Sequence, residues 1–294
     1  MRSGDGVATD GDRRRMTIAG GPARAGEGRR ERHLARRLGL AWTGLLAAVL
    51  VSPIAITCYG AFSTSEWYGQ RSEGARVAGT GKLFRYVLDV WGGALLHSAE
   101  IVVVVVPLAL LIGAPAAYAF RRRPFPGSRL LEAAALAPLS VPGIALAVSL
   151  IAAAGGAPRF WLLVAGHLAY TVPLVVKTVG NAAGTLDPLL EAAARSLGAS
   201  RWQLPRRLLV PLLAPALALS ALLVFAVSWG EFNVSFLLAT PLMSTFPAAL
   251  YLTYTSNSFP VGAAATVLFL LPVVPAMAAI QALGGEELHR GLQA

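Results

Sequence analysis

Charge is scarce in this chain. Asp, Glu, Lys and Arg make up 14% of its 294 residues, where a soluble domain carries about a quarter. Cysteine is almost absent. Cys58 stands alone inside an apolar run, so no intrachain disulfide can form and no Cys/His cluster offers a metal site. No G-x-x-x-x-G-K-[ST] stretch occurs, which excludes a P-loop nucleotide site within these residues. No nucleophile constellation or clustered His/Asp/Glu set is present, and the four histidines are scattered. These absences argue against an enzyme, and no catalytic residue, metal ligand or cofactor is expected.

Apolar sequence is what the chain has in excess. It is 55% hydrophobic, with a mean hydropathy of +0.61. Several runs reach the ~20 residues that cross a bilayer as a helix. They predict an all-α polytopic membrane protein with six transmembrane helices, at about 38–62, 94–120, 130–154, 160–180, 208–229 and 261–283. Residues 1–37, rich in Gly, Arg and acids, are expected to form a disordered cytoplasmic tail. Met16 is an alternative start that would shorten it. Residues 38–283 then form the transmembrane domain with a cytoplasmic loop at 181–207, and 284–294 a short cytoplasmic tail. The pair Arg36-Arg37 also reads as a secretory or twin-arginine signal, but the run behind it exceeds a signal-peptide core, which favours an uncleaved span. In 63–93, Trp67, Tyr68 and Trp91 are candidate interface aromatics.

The net charge of +10 does not point to nucleic acid. Ten of the 25 basic residues lie in the first 37 positions, and most others flank apolar runs. With both termini cytoplasmic, 20 of the 25 fall inside and 5 outside, the bias of the positive-inside rule. Pro107, Pro115, Pro215 and Pro272 fall inside spans, and Pro138 with Pro142-Gly143 breaks the third. Such prolines are tolerated where neighbouring helices satisfy the freed carbonyls.

One polar-flanked stretch, 187–215, reads as a short helix outside the bilayer. Asp187 is a good N-cap and Pro188 suits the first helical position. Leu190, Ala193, Ala194 and Leu197 repeat at helical spacing. Glu191 and Arg195 stand four apart in the favourable order, and Gly198 ends the helix. A basic segment from Arg201 to Arg207 follows, with Pro205 starting the next helix. A small apolar face at a membrane border has no core to fill, so it fits a groove on another protein; the alternative is a helix lying on lipid. LLEAAA also occurs at Leu130, but that copy lacks the glycine and the basic segment and is read as coincidence in an Ala/Leu-rich chain.

From Leu190 onward the stretch resembles the cytoplasmic EAA loop of permease subunits of bacterial ABC importers. That pattern is Glu-Ala-Ala, three residues, Gly, nine residues, an aliphatic residue, any residue, Leu-Pro. Here Gly198 is followed at the matching distance by Leu208, Leu209, Val210 and Pro211. With six spans, the resemblance covers roughly 38–283. It departs in three places: Val210 replaces the usual Leu, Pro205 is unusual inside the basic segment, and the Glu is displaced. Counting back from Gly198, the family's Glu position holds Ala192, and Glu191 stands one residue early, which turns the carboxylate by about 100°. Whether Glu191 makes the family's contact is left open.

The resemblance implies a type I ABC importer permease fold in the bacterial cytoplasmic (inner) membrane. It implies a coupling helix docked on a cytoplasmic ABC ATPase dimer that binds the ATP. It also implies a second permease subunit, identical or related, and a periplasmic or lipoprotein substrate-binding protein. The carried-over coupling residues are Glu191, Ala192, Ala193, Arg195, Gly198, Ala199, Arg201 and Pro211. The segment from Ser228 to Pro247 looks like polyamine (spermidine/putrescine) permeases, a grouping that shades into ferric-iron, phosphonate and thiamine systems.

Candidate pathway residues are Glu231, Asn233, Tyr251 and Tyr254. Glu231, at or near membrane depth, is either a cation-attracting group on the pathway or a helix-break residue satisfied by backbone N–H groups or water at the outer end of span five. Tyr251, Tyr254 and Asn257 either cage an amine by cation–π contact or form an interface belt. His167 is expected to be structural, Glu100 interfacial and Lys177 snorkelling to headgroups. A competing class, a secondary transporter without an ATPase, would want paired intramembrane charges in inverted repeats, and none are seen.

Overall fold

The computed structural model describes residues 22–62, 81–122, 125–256 and 259–293, with side chains described for 36–62, 81–122, 125–256 and 259–283. Trp67, Tyr68 and Asn257 lie outside these residues. Among the described residues every regular element is a helix, joined by short turns, and the only pairing of strand type is one bridge between Thr240 and Met243. The chain divides into two units, Met1–Ile56 and Thr57–Ala294.

The first helix, α1 (Pro22–Phe62), begins well before the expected boundary. Residues 22–37, expected to be disordered, are helical. Pro22 suits a first helical position, and the Ala/Arg/Glu-rich run behind it has high helix propensity. From Leu38 onward the apolar side chains point outward, with Trp42 64% and Leu50 73% exposed. An apolar helix surface of this kind suits lipid.

In the second unit, α2 (Lys82–Arg122) also starts earlier than expected. Leu83 and Val87 are buried and pack in a cluster with Phe246, Ala249 and Val261, so 82–93 is held as helix rather than loop. Further along α2, Ile101, Val105, Ala109, Gly113 and Ala117 fall every four residues on one buried face. They meet Leu163, Val175 and Val179 of α5 (Arg159–Thr185), with Val224 of α7 (Val210–Trp229) in the same core. Small residues let these helices approach closely, as membrane packing favours. A Cβ on Gly113 would stand 2.7 Å from Val175 Cβ.

The third span is not one helix. α3 (Ser128–Leu136) runs through a 3₁₀ turn, Ala137–Ser140, and then α4 (Gly143–Ala154) leaves at 108°. Pro138 and Pro142 stand at this break. Each removes a backbone donor and disfavours helix in the residue before it. The bend is sharper than the expected single span from 130 to 154. The chain nevertheless crosses here. Gly113 meets Val175, Ala117 meets Gly180, and Arg122 reaches the Leu186 carbonyl. Sequence separation stays nearly constant along these pairs, so α2 and α5 run parallel. Two parallel spans need a return crossing between them, and the bent pair supplies it.

A π-helical turn, Leu204–Leu209, leads into α7. Together they make one apolar span, Leu204–Trp229. Then come α8 (Asn233–Leu238), α9 (Phe246–Ser256) and α10 (Phe259–Gln293). Among the described residues, five helices are long and apolar enough to cross a membrane, or six passes when the bent pair is counted as one span. α10 continues helical beyond 283, the expected end of the last span.

Candidate functional site

Between α5 and the Leu204 turn lies α6 (Pro188–Ser196), the short helix read from 187–215. The Asp187 carboxylate accepts the Leu189 N–H at 2.8 Å, and Pro188 opens the helix without needing a partner for a missing N–H. At the other end Gly198 takes a left-handed φ of 85°. The Ala199 N–H bonds the Ala194 carbonyl, and the Gly198 N–H bonds that of Arg195. These two bonds form a Schellman cap. Both ends are therefore fixed by local chemistry.

The faces of α6 divide sharply. Leu189, Leu190, Ala192, Ala193 and Leu197 are exposed, Leu197 to 89%. Glu191 is only 8% exposed. Its carboxylate accepts from the Tyr118 hydroxyl at 2.7 Å, from Arg122 Nε at 2.9 Å and from Arg195 Nη2 at 3.1 Å. The same Arg122 donates through Nη1 to the Leu186 carbonyl at 2.9 Å. Burial by itself would raise the Glu191 pKa. The hydrogen bonds from Tyr118 and Arg122 and the charges of Arg122 and Arg195 outweigh it and hold the carboxyl below its ordinary range. The one-residue shift of Glu191 thus has a structural outcome: its carboxylate faces the end of α2 and ties α6 to the transmembrane core.

The other residues singled out on this loop fall on accessible ground. Ala192, Ala193, Arg195, Gly198 and Arg201 are exposed, Ala199 is half-buried, and Pro211 is exposed at the start of α7. Arg195 and Arg201 also line a largely apolar cavity of about 520 Å³, with Tyr118, Val179 and Leu213 on its walls. Tyr118 and Arg122 are the residues that sequence reasoning missed. They lie 73 and 69 positions from Glu191, and Arg122 had served only as part of a basic topology signal.

Of the candidate pathway residues, Glu231, Asn233 and Tyr251 gather around one short helix, and Tyr254 lies apart from it. Glu231 follows the end of α7, and its two oxygens accept the N–H groups of Val234 and Ser235 at 2.9 Å each. From one residue ahead of the N-cap position, Phe232, it satisfies free N–H groups at the start of α8, with its side chain 8% exposed. The reading of Glu231 as a free cation-attracting carboxylate gives way to the helix-break reading. His167 of α5 is 2% exposed and bridges Ser228 of α7 and Ser235 of α8, at 2.7 and 3.2 Å. It joins three elements, the structural role expected of it, and its Nε2 stands 3.9 Å from the Glu231 carboxylate. Asn233 is exposed and packs on Gly143, whose added Cβ would lie 2.6 Å from the Asn233 Cβ. The Tyr251 ring packs on Phe232 and Phe236. Tyr254 instead meets Phe259 and shares a hydrogen bond with Thr266. The two tyrosines serve different contacts rather than one cage.

Comparison with known proteins agrees with this architecture. Residues 107–284 match the family described as binding-protein-dependent transport system inner membrane component. The trehalose transport system permease protein SugB of Mycobacterium tuberculosis is 34% identical over 194 residues, covering 63% of this chain and 71% of that protein. The spermidine/putrescine transport system permease protein PotC of Escherichia coli is 31% identical over 186 residues, covering 62% and 70%. In fold, the chain is similar to a chain in the crystal structure of a bacterial ABC transporter involved in the import of the acidic polysaccharide alginate. The TM-score is 0.69 at 19% identity, over 86% of this chain and 97% of that one. The chain belongs to the binding-protein-dependent transport system inner membrane component family and is a permease subunit of an ABC importer, a transport component rather than an enzyme.

Proposed function

We propose that this permease forms half of a translocation pathway and takes its energy from a separate cytoplasmic ATPase dimer through α6. The observation that carries the reading is the division of α6 into two faces. Glu191 ties one face to α2, while Leu189, Leu190, Ala193 and Leu197 stand exposed with no core of their own to fill. An exposed apolar helix face on a rigid tether fits a groove on a partner. ATP is then bound by the partner, and this chain needs no cofactor. The second permease subunit, identical or related, completes the pathway, and a substrate-binding protein delivers the solute. The protein sits in the bacterial cytoplasmic membrane with both termini inside, which places the cap of α8 toward the outer side and α6 toward the inner side.

For substrate, we favour a polyamine. The segment from Ser228 to Pro247 resembles permeases of that type, and PotC is among the relatives. Ferric iron or a phosphonate would be related alternatives from the same grouping. A sugar is the second reading, favoured by one observation: the Glu231 carboxylate is already engaged by α8, and the exposed groups near it are Asn233, Phe236 and Tyr251. The test is co-purification of the tagged full chain in mild detergent with ATP hydrolysis blocked. A P-loop ATPase and a six-span partner should come with it, and the accompanying binding protein should bind spermidine or putrescine rather than trehalose by calorimetry. A chain that purifies alone would overturn the coupling; binding of trehalose alone would overturn the polyamine assignment.

A further inference from the structure

A second cavity, about 430 Å³, lies between the end of α2 and the start of α6. Its lining is Arg121, Arg122, Pro188, Glu191, Ala192 and Arg195. Three guanidinium groups face it against one carboxylate. Glu191 is already shared between Arg122 and Arg195. Arg121 has a looser pair with Glu132 at 3.5 Å, with its side chain 46% exposed. Positive charge in this cavity therefore exceeds the negative charge that the described residues supply.

Arg122 adds a specific observation. Its side chain is nine-tenths buried. Nε is held by Glu191 and Nη1 by the Leu186 carbonyl. Nη2 is buried and has no hydrogen-bond partner among the described residues. A buried charged donor without an acceptor is costly, by more than a neutral one. A planar guanidinium held on two sides presents its remaining N–H groups in a fixed direction, the geometry that suits an oxyanion. The cavity also sits at the level of a headgroup region, since Arg121 and Arg122 end a membrane-spanning helix.

We propose that this cavity is a phosphate site, in which Arg122 Nη2, Arg121 and Arg195 hold the phosphate of a phospholipid headgroup or of a soluble phosphate. An anion there adds a second tie between α2 and α6, alongside Glu191. The inference rests on the chain being a membrane protein, and it does not require α6 to dock on an ATPase.

The experiment uses the full-length chain in an uncharged detergent, without partner subunits. Native mass spectrometry follows retention of phosphatidylglycerol against phosphatidylcholine, and a thermal-shift titration follows inorganic phosphate. The variants are Arg121→Gln, which leaves all the Glu191 contacts in place, and Arg121→Gln/Arg195→Gln. The control is Arg206→Gln/Arg207→Gln, which removes two exposed charges on the same border. Loss of one charge-assisted contact should weaken binding by about tenfold. Preferential retention of phosphatidylglycerol, lost in Arg121→Gln and kept in the control, supports the site with lipid as its source. A thermal shift by inorganic phosphate with the same dependence supports it with a soluble source. Absence of both effects, or an equal loss in the control, overturns it.

Discussion

Replacing Glu191 by alanine is the perturbation that most directly probes how α6 is held. The change removes an acceptor used by Tyr118, Arg122 and Arg195 at 2.7, 2.9 and 3.1 Å. It also leaves the Arg122 guanidinium, nine-tenths buried, without its counter-charge. Breaking a fully buried pair from one side costs about 3–5 kcal/mol. Arg122 keeps the Leu186 carbonyl and Arg195 is half-exposed, so a discounted cost of about 2–3 kcal/mol is expected. At 1.4 kcal/mol per decade, that raises the population of detached α6 roughly 30- to 150-fold. Hydrogen exchange of the full chain in lipid nanodiscs should show this as faster exchange across 188–197, with the core of α5 unchanged. Glu191→Leu/Arg122→Met should exchange more slowly than Glu191→Leu alone, because no buried charge is then left unpaired. Unchanged exchange in Glu191→Ala would refute the reasoning.

Acidification tests the same tie. A carboxyl whose folded-state pKa lies below its unfolded value contributes stability above the unfolded value, and loses it as pH falls through the folded one. Glu191 is shifted in that direction from 4.5, so accessibility of a probe on α6 should stay flat from neutral pH to about the ordinary carboxylate range and rise below it. Asp187→Ala should loosen the start of α6 by about 1 kcal/mol, read as faster exchange confined to its first turn. Gly198→Val should cost about 1–2 kcal/mol through the left-handed backbone alone, since a Cβ there meets nothing within 4 Å, and Gly198→Asn should cost less. Gly198→Asp should insert normally yet lose the ATPase in co-purification, because beyond a backbone cost like that of Gly198→Asn it puts a carboxylate into the proposed contact with the partner. Gly113→Leu should lower the melting temperature by overpacking α2 against Val175, costing about 1–3 kcal/mol.

Local chemistry was readable from the residues. Asp187, Pro188 and Gly198 act on neighbours within a few positions, so the start and stop of α6 were legible, as was the Glu191–Arg195 pair one turn apart. The long apolar runs marked the spans for the same reason. Boundaries set by distant packing were not legible. Lys82–Gly93 is helical because Leu83 and Val87 meet Phe246 and Val261, and no local pattern announces that. The prolines at 138 and 142 marked a break, but the 108° turn depends on what α4 packs against. The partners of Glu191 and Glu231 show the same divide. Val234 and Ser235 follow Glu231 closely, and a helix-break residue satisfied by backbone N–H groups or water was one of the two readings open for it. Tyr118 and Arg122 reach Glu191 only because α2 and α5 run parallel.

If the exposed face of α6 meets an ATPase, a photo-cross-linking residue in place of Leu197 should capture that partner. Leu197 is 89% exposed, so the substitution disturbs little packing among the described residues. On irradiation of native membranes, the account predicts one dominant product, the permease joined to a P-loop ATPase, that weakens in Gly198→Asp. Products with lipid alone, or none, from membranes in which the ATPase is present would contradict it.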